Sequence, residues 1–201
     1  MSFELRPYGE MVSTLFKHTG LQVLAEPLVH AAIGVLGELL ELAQAPDHLN
    51  FIEECGDAEF YLEAFLQSLV NLGDPLMVNS EMGTAMANEL TVRERTFTGH
   101  ELVLDCVVPA GDLLDLTKKV WVYNQPIETH TVAMAKLVGM IHGRLALLYA
   151  EHNLSREDVL NYNQLKLAKR YPDGVYSNGN AAARLDKNND TTQETEGAAS
   201  V

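Results

Sequence analysis

The chain has 201 residues, 47% hydrophobic and 21% charged, which suits one globular domain with a sizeable core. Its formal net charge of −14 argues against non-specific attachment to nucleic acid or to an anionic membrane, since both need Lys/Arg-rich faces. Cys55 and Cys106 have no metal-ligand or redox spacing and read as reduced thiols of a cytoplasmic protein. The start MSFELRPYGE has no apolar signal region, and no uncharged run approaches the roughly 18 residues a membrane span needs.

Helical periodicity dominates, and the expected class is all-α, a bundle of antiparallel helix pairs. A short helix is predicted around Glu10–His18, stopped by Gly20, then long ones over Glu26–Gln44 and Asn50–Asn71. Gly73 suits a C-terminal stop, and Pro75 beyond it could not continue the same helix. Residues 73–108 show no sustained period and read as an insertion of mixed structure, with TFTGHELVLDCV extended. Pro109 fits the first turn of a helix to about Tyr123, and another helix spans Thr131–His152. Ser155 and Asp158 form a capping signature, with Leu154 stapled on Val159, for a helix ending at Arg170 before Pro172. The domain then covers residues 1–186, and the polar tail 187–201 is expected to be disordered.

The chemistry sits in GELLELAQAPDHLNFIEECGD. Glu38 and Glu41 share one helical face, and so do Glu54 and Asp57. In an antiparallel hairpin centred on Asp47-His48, Glu41 falls opposite Glu54 and Glu38 opposite Asp57, so all four carboxylates meet at one seam. Gly34 and Gly37 precede the first pair by a turn and leave room for close approach. Four acids on an apolar seam cannot all stay ionised without a cation. An oxygen-only donor set suits Mg²⁺ or Mn²⁺, which keeps positions for phosphate oxygens and an attacking water. A ferritin-like di-iron site would need Glu-x-x-His pairs, and the chain has none.

GELLEL, EECGDAEFYL and NQLKLAKRYPDGVY together resemble the MazG-like nucleotide pyrophosphohydrolases of the all-α NTP pyrophosphatase superfamily, phage-encoded members especially. The resemblance covers about Leu28–Leu66 and Leu113–Arg184. It implies Mg²⁺-dependent hydrolysis of a nucleoside triphosphate to monophosphate and pyrophosphate, in a host cytoplasm for a phage protein. It also implies a homo-oligomer, dimer or tetramer. Glu38, Glu41, Glu54 and Asp57 match the metal-binding acids, with Glu38 or Glu41 also able to accept a proton. Asn163, Lys166, Arg170 and Tyr171 match the substrate-binding motif, while Asn50 stands where many relatives carry Lys. Lys166 and Arg170 are four apart, on one face that a triphosphate could bridge. Tyr61, Phe60, Trp121 and Tyr171 are candidates to border the base.

AGDLLDLTKK echoes LGELLELAQ, and HGRLALLY echoes CGDAEFYL, which reads as a degenerate internal duplication with Arg144 facing Asp112. Lys118 and Lys119 either aid phosphate binding or suit a helix C-terminus. The rival expectation is a non-catalytic nucleotide-binding or assembly protein with the same fold.

Overall fold

The computed structural model describes residues 6–16, 26–92 and 99–187. Among them the chain forms α1 (Tyr8–Leu15), α2 (Glu26–Leu42), α3 (His48–Leu72), α4 (Pro75–Val92) and α5 (Gly99–Tyr123). A 3-10 turn at Ile127–Thr129 leads to α6 (Thr131–Glu151), α7 (Arg156–Arg170) and α8 (Asn178–Ala183). No strand occurs among the described residues, and the class is all-α. Of the first predicted helix, Lys17 and His18 lie outside the described residues, as do tail residues 188–201.

Local chemistry sets the ends. Pro27 lies in the first turn of α2, where its missing N–H has no helical partner to lose. Asp47 caps α3 by accepting from the Asn50 N–H at 2.9 Å, and the Gly73 N–H closes that helix on the Leu69 carbonyl at 3.0 Å. Ser155 and Asp158 form the expected capping box on α7.

Residues 73–108 depart from the sequence reading. They are no mixed insertion: Asp74 caps α4 through the Leu76 N–H at 2.9 Å, with Pro75 as its first residue. Gly99–Val107 is helical rather than extended, while Thr96–Thr98 lie outside the described residues. Few α4 side chains are buried, Val78 and Ala85 among them, because α4 approaches α6 at its backbone. A Cβ on Gly139 would lie 2.2 Å from the Met82 carbonyl oxygen, and one on Gly143 2.7 Å from the Glu89 Cβ. Such packing leaves no apolar period to read.

Pro109 is not a first-turn residue; it lies inside α5. It offers no N–H to the carbonyl of Asp105, four residues earlier. Arg144 of α6 donates Nη1 to that carbonyl, and its Nε and Nη2 reach Glu89 of α4 at 3.1 and 3.3 Å. Arg144 therefore braces three helices at the proline and faces Glu89 and Asp105 rather than Asp112.

The core runs through Leu28, Val35 and Leu39 of α2, Leu62, Phe65 and Leu69 of α3, and Met134, Ile141 and Leu145 of α6. Each fully buried side chain of this size stabilises the fold by about 2 kcal/mol. Helix α6 is long and apolar enough to cross a bilayer by length and composition, with 61% of its apolar window buried in the bundle. Helices α2 and α3 pack on each other, and α7 lies against α3. That places the polar side chains of these three helices together.

Candidate metal centre

Glu38 and Glu41 project from α2, and Glu54 from α3. One oxygen from each lies within 4.8 Å of the others. Two full charges about 5 Å apart repel by about 3 kcal/mol at an effective dielectric near 20. Among the described residues no Lys, Arg or His forms an ion pair with any of the three. Burial first, then Asp57, Glu41 and Glu54, push the Glu38 carboxyl up to about 8. Glu54 is raised by burial and then by Asp57 and Glu41. Their oxygen-only donor set fits a hard divalent cation.

Asp57, the fourth acid, turns toward α7. Its Oδ1 accepts from Asn163 Nδ2 at 2.8 Å, and Lys166 Nζ lies 2.5 Å from the carboxylate. Lys166 also reaches Glu53 at 3.4 Å, and Glu53 takes Lys187 at 2.7 Å. Asn163 is fully buried, and its Oδ1 accepts from the Tyr8 hydroxyl at 3.0 Å. This close approach of α7 to α3 needs Gly56, because a Cβ there would lie 2.8 Å from the Asn163 Cβ. Gly34 likewise admits the Tyr61 ring, whose nearest atoms lie 2.3 Å from where its Cβ would stand. Gly37 opens onto free space.

A cavity of about 200 Å³ adjoins the acids, lined by Glu38 and Asp57, the rings of Phe60, Tyr61 and Tyr171, and Arg170. Phe16, His30 and Tyr176 complete its aromatic wall. Phe16 stacks on His30 at 4.5 Å, and Tyr171 tilts on Tyr176 at 5.7 Å. Arg170 pairs with Asp186 at 2.6 Å. A wider cavity of about 610 Å³ has Asn50, Tyr162, Lys166 and Lys169 in its wall, with Asp186 and Lys187.

The structure thus groups Glu38, Glu41 and Glu54, with Asp57, Arg170 and Tyr171 around the adjoining cavity. Asn163 and Lys166 bind Asp57 directly, whereas Asn50 sits at the start of α3 in the wider cavity. Trp121 is half exposed and lines neither cavity. Lys118 and Lys119 pair with Asp115 at 2.5 and 2.9 Å. Sequence reasoning missed Glu53, although it lies four residues before Asp57 and so shares its face. It also missed Asp186, Lys187 and Tyr8, which no local pattern marks. Lys187 belongs to this network rather than to a featureless tail.

In comparison with known proteins, no family model matches the chain, and no curated protein or solved structure matches it either.

Proposed function

We propose that the chain is a Mg²⁺- or Mn²⁺-dependent hydrolase that splits nucleoside triphosphates into monophosphate and pyrophosphate. The observation that carries this reading is the trio Glu38, Glu41 and Glu54, mutually repelling beside an aromatic cavity that also holds Arg170. These three acids would hold the cation, with Asp57 beside them. A bound divalent ion polarises the phosphoryl group and makes a water nucleophilic at neutral pH. Glu41 is exposed and can accept the proton of the attacking water, while the Glu38 side dips into the cavity. Phe60, Tyr61 and Tyr171 offer stacking faces for a base, and Arg170 offers planar donors for phosphate oxygens. The water oxygen would bond to the α-phosphorus as the α–β anhydride bond breaks, the bonding pair leaving with pyrophosphate, and Glu41 then gives its proton to solvent, which restores the site's charge.

The same reading carries a homo-oligomer. Ile33 and Leu40 of α2 and Leu104 and Val108 of α5 are exposed at helical spacing, and α2 packs against α5. Light scattering giving the mass of one chain at micromolar concentration would contradict it.

A non-catalytic nucleotide-binding or assembly role draws on a different observation: Lys166 and Arg170 already have carboxylate partners, Asp57 and Asp186. Pyrophosphate release decides between the two. The chain is incubated with each common NTP and dNTP in Mg²⁺ or Mn²⁺, and products are resolved by chromatography. Monophosphate and pyrophosphate in equal amounts are expected from at least one substrate. A folded protein that releases none from any of them is not this hydrolase.

A further inference from the structure

Arg170 ends α7 with its guanidinium already gripped. Nε donates to Asp186 Oδ1 at 2.8 Å and Nη2 to Asp186 Oδ2 at 2.6 Å. This paired geometry makes Arg–carboxylate contacts both strong and directional. The Asp186 side chain is 1% exposed. Burial alone would raise its pKa, but the hydrogen bonds and charge of Arg170 more than offset that and keep it ionised. The next residue, Lys187, holds Glu53, and Glu53 meets Lys166. Two successive residues therefore reach Arg170 and Lys166, two of the four cations of α7, one directly and one through a shared acid. Arg184, the C-cap of α8, has φ 46° and turns the chain into this strap.

The edge of the guanidinium that Asp186 uses decides what the contact does. Asp186 grips the Nε–Nη2 side and lines the wider cavity, not the small aromatic one. Arg170 lines the small cavity beside Glu38 and Asp57, with Tyr171 in the same wall. A carboxylate competing with substrate would sit inside the small cavity. This one holds the arginine from behind.

We infer that Asp186 is a positioning residue, clamping one edge of Arg170 so that the guanidinium faces a phosphate group in the small cavity, with Lys187 anchoring the same strap on Glu53. The inference rests on the triphosphate reading of the site. Its test is titration calorimetry of inorganic triphosphate with Mg²⁺ on the full chain, as wild type, Asp186→Asn, Arg170→Ala and the double variant. Asp186→Asn is expected to bind about tenfold more weakly, the scale of one charge-assisted contact. In the Arg170→Ala background the same change is expected to add nothing, because Asp186 acts only through Arg170. Asp186→Glu should recover part of the loss. Thermal unfolding of each variant runs alongside, and fully additive losses in the cycle would mark Asp186 as merely structural and overturn the inference. Unchanged binding in Asp186→Asn would overturn it too, and tighter binding would make Asp186 a competitor. If wild type binds no triphosphate, the phosphate reading falls and takes this inference with it. Wild-type binding that Asp186→Asn leaves intact removes the inference alone.

Discussion

Two of the acids on helix α3, the half-buried Glu54 and the fully buried Glu59, lie in opposite surroundings. Glu59 is fully buried, yet Arg156 clamps it at 3.0 and 2.8 Å and the Tyr149 hydroxyl donates to it at 3.1 Å. Burial would raise its carboxyl, but His142 and Arg156 overcome that and hold it near 2. Glu54 instead meets Glu38 and Glu41, and burial and the neighbouring carboxylates raise both Glu38 and Glu54. Burial is the largest influence in both places, so it does not set the difference. What faces the carboxylate does. An acid the protein has paired for itself is architecture, and a trio left facing one another has room for a cation from outside.

That contrast can be broken most visibly at the trio. Removing divalent ions with EDTA is expected to abolish hydrolysis, and Mg²⁺ or Mn²⁺ to restore it. Glu41→Gln and Glu54→Gln should each lower pyrophosphate release by at least about a hundredfold, since a lost ligand removes several kcal/mol of transition-state stabilisation. Circular dichroism should stay helical. Full activity in excess EDTA would end the comparison.

At the paired acid the expected damage is to stability. Arg156→Ala leaves Glu59 buried with one cation fewer. Breaking a buried pair costs about 3–5 kcal/mol, and the 43% exposure of the Arg156 side chain discounts this to about 2–3 kcal/mol. Urea unfolding measures it, and a change under about 0.5 kcal/mol would mean the pair is ornamental. Because the Glu59 carboxyl lies below its ordinary 4.5, its contribution is present above that pH and lost as pH falls toward 2.

The smallest effect has the opposite sign. Folded Glu38 keeps its proton to about pH 8, whereas an unfolded carboxyl releases it near 4.5. The folded state binds more protons in that window, so metal-free stability falls as pH rises from about 5 to 8. Glu38→Gln should flatten that slope and stabilise the metal-free protein at pH 8 by about 1 kcal/mol, and Mg²⁺ should flatten it in the wild type. A metal-free melting temperature that climbs over this range would show that the trio does not carry the charge strain assigned to it.

Much of this site was legible because it obeys local spacing. The Glu-x-x-Glu and Glu-x-x-Asp pairs, the Asp47 turn and the Ser155 capping box are short-range patterns, and the helices they belong to fell within a few residues of expectation. Helix α4 was hidden because it packs through the glycines of α6, although Asp74-Pro75 was a readable start signal. Pro109 misled because its missing hydrogen bond is made good by Arg144, distant in sequence. Asp186 and Lys187 gave no signal, since a strap held by two ion pairs needs no periodicity.

The Arg144 brace bears on the order in which the chain folds. Most helices complete their backbone ladder alone, before anything docks. Helix α5 cannot, because the Asp105 carbonyl waits for a guanidinium from α6 that Glu89 of α4 steadies. The middle of α5 is therefore an assembly checkpoint, locked only when three helices have met. Arg144→Met is expected to speed unfolding far more than it slows folding, a low φ-value in chevron kinetics. Adding Pro109→Ala in that background should slow unfolding again, because the carbonyl regains a partner within its own helix.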